Sequence, residues 1–315
     1  MRFSRRYGFK LAGTLGALAA SGKLVSYGMA APIPVGEPEE GGEPHVGGEF
    51  IVGISELPDT LDPHKTGSAQ ASTILRLAGD SLIAKDFDGN YVPSLATEWT
   101  ISEDGLTWTF TLRQDVTFHD GTPLNAEAVK FSFDRILDPA TVAITAAGLI
   151  GPMASTAAPD EYTFQFTLSE PFAPLLDNLT GGTVSIVSPT AVESMGDEFG
   201  QKPILTGAWM VDEWRTGDRI ILKRNPDYVW APPFLHQDEA AYIETLTFQS
   251  IIEEASRIAA FEAEEVHQLS LPPTDVERIQ EGGDFWVVNY LRKGVVFLEF
   301  NITQPPFDDV KVRQA

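Results

Sequence analysis

The sequence predicts a mixed α/β protein built from more than one unit, and three observations carry that expectation. Residues 99–168 alternate apolar and polar side chains at strand spacing around one helical stretch. The segments on either side mix strand and helix patterns without an internal repeat. A length of 315 residues with 43% hydrophobic content is enough for about two domains with buried cores.

The elements follow in order. Phe50-Ile51-Val52-Gly53-Ile54 is a short apolar strand, and the Pro-rich segment 57–65 after it is a loop. Ile74, Leu75, Ala78 and Leu82 recur at helical spacing and predict a helix over 72–83. Trp99 and Ile101, the turn Ser102-Glu103-Asp104-Gly105, and the alternation Leu106, Trp108, Phe110, Leu112 predict a hairpin. Asn125 is placed to cap a helix whose inner face is Val129, Phe133, Ile136 and Leu137, and Asp138-Pro139 ends it. Tyr162, Phe164, Phe166 and Leu168 predict another strand, so 84–170 reads as an α+β unit of its own. Thr183–Val187 reads as a buried strand, 208–214 and 219–224 as a strand pair, 242–248 as a strand and 253–261 as a helix. Thr274-Asp275 is expected to cap a short helix, and 285–290 and 295–300 to form two more strands.

Charge and composition exclude whole classes. Lys and Arg number 22 against 45 Asp and Glu, a formal charge of −23. A nucleic-acid partner is therefore not expected, because phosphate contacts need clustered cations. With no cysteine there are no disulfides, thiolate metal sites, cysteine nucleophiles or cysteine-linked lipid anchor.

The first residues read as an address. Arg2, Arg5, Arg6 and Lys10 precede an apolar stretch 11–20, and Lys23 and the segment Gly28-Met29-Ala30-Ala31-Pro32 follow, with no acid before Glu37. That is the layout of an export signal over 1–31. Ten apolar residues are about half of a membrane span. Ser4-Arg5-Arg6-Tyr7-Gly8-Phe9-Lys10 resembles a twin-arginine signal, the alternative being an ordinary secretory signal. Removal of 1–31 would leave 17 basic and 45 acidic residues, a charge of −28. Residues 32–48, rich in Pro, Gly and Glu, are expected to be a flexible linker.

Several blocks, taken together, resemble the extracellular solute-binding proteins of family 5, the peptide, oligopeptide and nickel-type receptors of ABC importers. They are Thr60-Leu61-Asp62-Pro63-His64-Lys65, segments 93–99 and 102–113, and Val116-Thr117-Phe118-His119-Asp120-Gly121-Thr122-Pro123 running on to Val129. Leu205-Thr206-Gly207-Ala208-Trp209, Arg224-Asn225-Pro226-Asp227-Tyr228, Phe300-Asn301, segment 305–309 and Val312-Arg313-Gln314-Ala315 follow in the family's order. Segment 263–267 departs from the pattern, having Ala-Glu-Glu-Val-His where the family has a Gly-Glu-Val-Asp turn.

The resemblance implies a periplasmic-binding-protein-like fold of type II, with two α/β lobes and an α+β domain inserted in the first. It implies lobe one at 49–84 and 171–268, the inserted domain at 85–170, and the start of a truncated second lobe at 269–315. It implies a non-enzymatic receptor, a monomer exported to the periplasm or cell surface. That receptor would take a peptide or other small solute to ABC permease subunits, with no cofactor. The family's ligand contacts map to Thr66, Gly67, Ser68 and Ala69, with His64 leading into the cleft, and to Thr145 and Gly148 of the inserted domain.

The residues themselves offer no catalytic motif. There is no nucleophile elbow and no Gly-rich phosphate loop. The five histidines lack the spacing of a metal clamp, and His119, in a turn, is expected to make a structural hydrogen bond. The strand aromatics are expected to be core. The rival readings are an exported hydrolase, which would need a nucleophile or metal cluster, and a fragment without function of its own.

Overall fold

The computed structural model describes residues 46–235, 240–281 and 302–314. The expected export signal, most of the linker and the two strands expected at 285–300 lie outside the described residues. The bulk of the chain up to Pro273 is one compact unit.

Two sheets organise that unit. The chain enters through β1 (Glu49–Ile54) and α1 (Ala69–Ala78), then a small antiparallel pair, β2 (Ile83–Lys85) and β3 (Tyr91–Pro93). Next come β4 (Ala96–Ile101), β5 (Thr107–Leu112), α2 (Ala126–Leu137), α3 (Ile144–Ile150), β6 (Met153–Asp160) and β7 (Thr163–Leu168). Here β4-β5-β7-β6 form a four-stranded antiparallel sheet. The alternation expected along β5 and β7 is met: Trp108, Phe110, Leu112, Phe164, Phe166 and Leu168 are all buried. Phe133 from α2 stacks on Phe164 with centroids 5.1 Å apart. Each such ring removed from water contributes roughly 2–3 kcal/mol. Asn125 caps α2 by accepting the Ala128 N–H, as its position predicts.

After α4 (Leu175–Asn178) and α5 (Pro189–Met195) come β8 (Trp209–Arg215), β9 (Arg219–Arg224), β10 (Thr245–Ser250), α6 (Glu254–Glu262) and β11 (Gln268–Leu269). The second sheet has the order β11-β1-β10-β9-β8. Its β11-β1-β10 half is parallel and β10-β9-β8 antiparallel. Leu61, Ile74, Leu75, Phe199, Ile220, Leu222 and Phe248 form the core over it. A separate unit starts at Thr274. Its described parts are most of α7 (Pro273–Glu281) and residues 302–314, which end in α8 (Val310–Gln314).

Several expectations are corrected. The first helix starts at Ala69 because Ser68 caps it, and it stops at Gly79; Leu82 lies beyond it, in the other core. Segment 183–187 is not a strand. It is buried, but Gly182–Val184 form a single 3-10 turn, and the segment pairs with no strand. A side chain on Gly182 would meet the Ser72 carbonyl oxygen at 2.8 Å, so helix packing rather than a ladder sets its path. Ile101 and Leu137, expected on inner faces, are exposed. Thr274 lies inside α7, not at its cap. The departed turn at 263–267 is still made, with Glu264 at φ 60° in the left-handed region.

Candidate functional site

The loop after β1 carries most of the candidate residues, and one polar cluster fixes its shape. Asp62 and His64 are buried. Arg135, from α2, donates through both terminal nitrogens to the two oxygens of Asp62, and through Nη1 to Nδ1 of His64 at 2.9 Å. A guanidinium only donates, so Nδ1 must accept and the proton sits on Nε2. Nε2 then donates to the Ser185 carbonyl at 3.1 Å. Burial works to raise the Asp62 pKa, yet the hydrogen bond and charge of Arg135 hold it below the ordinary carboxylate value. Burial and the Arg135 charge push His64 down to about 4, so the ring is neutral. His64 therefore ties the loop after β1 to α2, and its ring is closed to solvent. His64, expected to lead toward a ligand, has both ring nitrogens bonded within the protein. Thr66 is buried too, its hydroxyl accepting the Ser68 N–H.

The rest of the loop faces outward. Lys65, Gly67 and Ala69 are exposed and Ser68 is half-buried. Across from them, Thr145 and Gly148 of α3 are exposed as well. The two stretches meet: a Cβ on Gly67 would sit 3.0 Å from the Thr145 hydroxyl. Nothing lies within 4 Å of where a Gly148 side chain would start. Gly67, Ser68, Ala69, Thr145 and Gly148 thus line one open face, while His64 and Thr66 brace it from behind. Val142 precedes α3 at φ 57° with its side chain exposed, and Ile144 is exposed beside it. A β-branched residue in the left-handed region is strained, and such strain gathers at functional positions.

A second cluster holds the other sequence blocks together. Asp80, just past α1, accepts from Trp230 Nε1 at 3.1 Å, Thr206 Oγ1 at 3.0 Å and the Tyr228 hydroxyl at 3.2 Å. Burial raises its pKa to about 6 against these three bonds. Gly207 passes so close to α1 that a Cβ would lie 2.4 Å from the Ala78 carbonyl carbon. The Gly207 carbonyl accepts from His119 Nε2 at 2.9 Å and from Asn225 Nδ2 at 3.2 Å. The structural bond expected for His119 is present, and burial lowers that ring's pKa to about 4. Sequence reasoning singled out neither Arg135 nor Asp80. The signal available for each was a charge placed among apolar core positions, at 133–136 and 74–83.

Among the described residues no three metal-ligating side chains converge, and no helix is long and apolar enough to cross a membrane. An open groove of about 540 Å³ runs along α2 past Asn125, Lys130, Phe131 and Pro189, away from the candidate loop.

Comparison with known proteins places this architecture. Residues 90–315 match the model of the bacterial extracellular solute-binding proteins, family 5. The chain belongs to that family. A glutathione-binding protein of Shigella flexneri is 28% identical over 266 residues, covering 84% of this chain and 50% of the relative. The chain spans about half the length of the curated relatives it matches. Among solved structures, the periplasmic binding protein DppA of Helicobacter pylori, in complex with the peptide STSA, superposes with a TM-score of 0.67 at 28% identity. That match covers 75% of this chain and 49% of DppA. The binding protein MoaA of A. tumefaciens R10, in complex with mannopinic acid, has a TM-score of 0.74 at 25% identity, over 84% of this chain and 54% of MoaA. The fold is that of the type II periplasmic binding proteins of family 5. The family is one of solute-binding proteins, which favours the binding module over the hydrolase.

Proposed function

We propose that this chain is the ligand-capturing part of an extracytoplasmic receptor of an ABC importer, taking a peptide or a similar small solute. Family membership over residues 90–315 carries the reading. The relatives matched here are named for glutathione and for peptide and mannopinic acid complexes, all small polar solutes. Lobe one is made of 49–84 and 171–268, the inserted domain of 85–170, and 269–315 opens a second lobe. Export is directed by residues 1–31, by the twin-arginine route. The ligand lies on the face of Gly67, Ser68, Ala69, Thr145 and Gly148. Backbone groups of such a face supply hydrogen bonds that are indifferent to side chain, which suits a receptor for varied solutes. Captured solute would then be handed to the permease by closure of the lobes.

Thermal unfolding of the full chain with tripeptides, glutathione and mannopinic acid tests the ligand class. Ligand at a hundred times its dissociation constant adds about 2.7 kcal/mol of stability, which reads as a clear rise in Tm. A rise with mannopinic acid and none with any peptide would remove the peptide assignment. Gly148→Trp tests the face: it enters open space, so the fold should persist while the ligand-induced shift is lost.

A further inference from the structure

The acid so abundant in this chain is missing from one face. Asp and Glu make up 45 of 315 residues, one in seven. Residues 63–79, 139–159 and 178–192 contain none. Of these 53 positions 22 are buried, and the 31 others would hold four or five at the chain's average. Their only Lys or Arg residues are Lys65 and Arg76.

The three stretches are distant in sequence and adjacent in space. Gly67 abuts Thr145. Arg76 Nη1 donates to the Thr180 carbonyl at 3.0 Å, and Asn178 Nδ2 donates to the Leu149 carbonyl at 2.8 Å. Lys65 and Arg76 are both exposed. Three of the six acids that bound the stretches are held by partners outside them. Asp62 is bound to Arg135, Asp80 to Trp230, Thr206 and Tyr228, and Asp177 to Lys85. Asp138 and Asp160, each accepting a backbone N–H, and Glu193 stand exposed at the margins of the stretches. The charges within the face are therefore Lys65 and Arg76 alone, in a molecule whose net charge is strongly negative, and a solute anion meets less repulsion there than over the acid-rich remainder of the surface.

We propose that the solute taken at this face is net negative, a small carboxylate-bearing molecule, with Lys65 and Arg76 setting the preference. This rests on the binding face of the proposed function and adds the charge class of its ligand. A matched series tests it by titration calorimetry on the full chain: the tripeptides Ala-Glu-Ala, Ala-Gln-Ala and Ala-Lys-Ala. The expected order is Glu over Gln over Lys, with about tenfold between the ends at low salt. The spread should shrink in 0.5 M NaCl, since exposed charges are screened beyond about 10 Å already at 0.1 M. Lys65→Glu, on an exposed side chain, should leave the unfolding midpoint in place and abolish or invert the order. Equal binding of all three overturns the anion preference and leaves the binding face standing. Binding of none overturns both. Preference for Ala-Lys-Ala in the unaltered chain overturns the proposal outright.

Discussion

Arg135 shows what a buried charge does in this chain. Its side chain keeps 11% exposure and that of Asp62 only 3%, so each depends on the other for its solvation. Asp62→Asn would strand the guanidinium and take one acceptor from the loop that carries Gly67 and Ser68. The expected cost is about 3–5 kcal/mol in urea unfolding, and a cost under 1 kcal/mol would mean the cluster is not the brace described here. Val142 poses the opposite case. Its left-handed backbone costs about 1–2 kcal/mol, and its exposed side chain gives little in return. Val142→Gly should therefore raise stability by about 1 kcal/mol; a loss instead would show that the Val142 side chain packs usefully. Neither residue was legible as a feature of the site. Arg135 reads as a polar position on an amphipathic helix, and only the tertiary contact with Asp62 turns it into an anchor. A left-handed valine leaves no mark in a sequence, because nothing in its chemistry favours that backbone.

At the scale of elements, legibility followed local determination. The hairpin β4-β5, the helix α2 with its Asn125 cap, and strands β7 and β9 were readable because a turn, a cap or a strict alternation specifies each of them nearby. Segment 183–187 was misread because its apolar run has the composition of a buried strand, while its conformation is set by α1 pressing on Gly182. The edge strand β6 went unread because Ala154–Pro159 is made of small residues with no alternation to see. The outward loop 67–69 and α3 were placed only through the family resemblance; no local pattern marks them. Close approach gives one further prediction. A methyl group on Gly207 would collide with the backbone at Ala78 and Gly79. Gly207→Ala should cost at least about 2 kcal/mol in urea unfolding and also disturb the carbonyl that His119 and Asn225 share. An unchanged midpoint would show that α1 can slide away from the β8 entry.

Over the whole molecule, His64, His119 and Asp80 set most of the change in stability between pH 7 and pH 4. His64 and His119 fall from 6.5 to about 4 on folding. Their contribution is complete above pH 6.5 and is lost as pH drops through 4, because the unfolded chain takes up the protons first. Asp80 runs the other way. Its folded pKa of about 6 lies above the unfolded 3.8, so it favours the fold at low pH, and that contribution is lost as pH rises through 6. Each shift is worth on the order of 3 kcal/mol. Two against one, the histidines win, and stability should fall by about 3 kcal/mol between pH 7 and pH 4. The variants separate the parts. In His119→Gln the amide can still donate to Gly207, so the acid loss should shrink by roughly half to all of its size. In Asp80→Asn the side chain can keep accepting from Trp230 and Thr206 while its NH2 donates to Tyr228, and the acid loss should steepen. Urea midpoints of the three proteins across pH 4 to 7 measure this directly. Parallel curves would mean that His119 and Asp80 do not titrate as their burial requires.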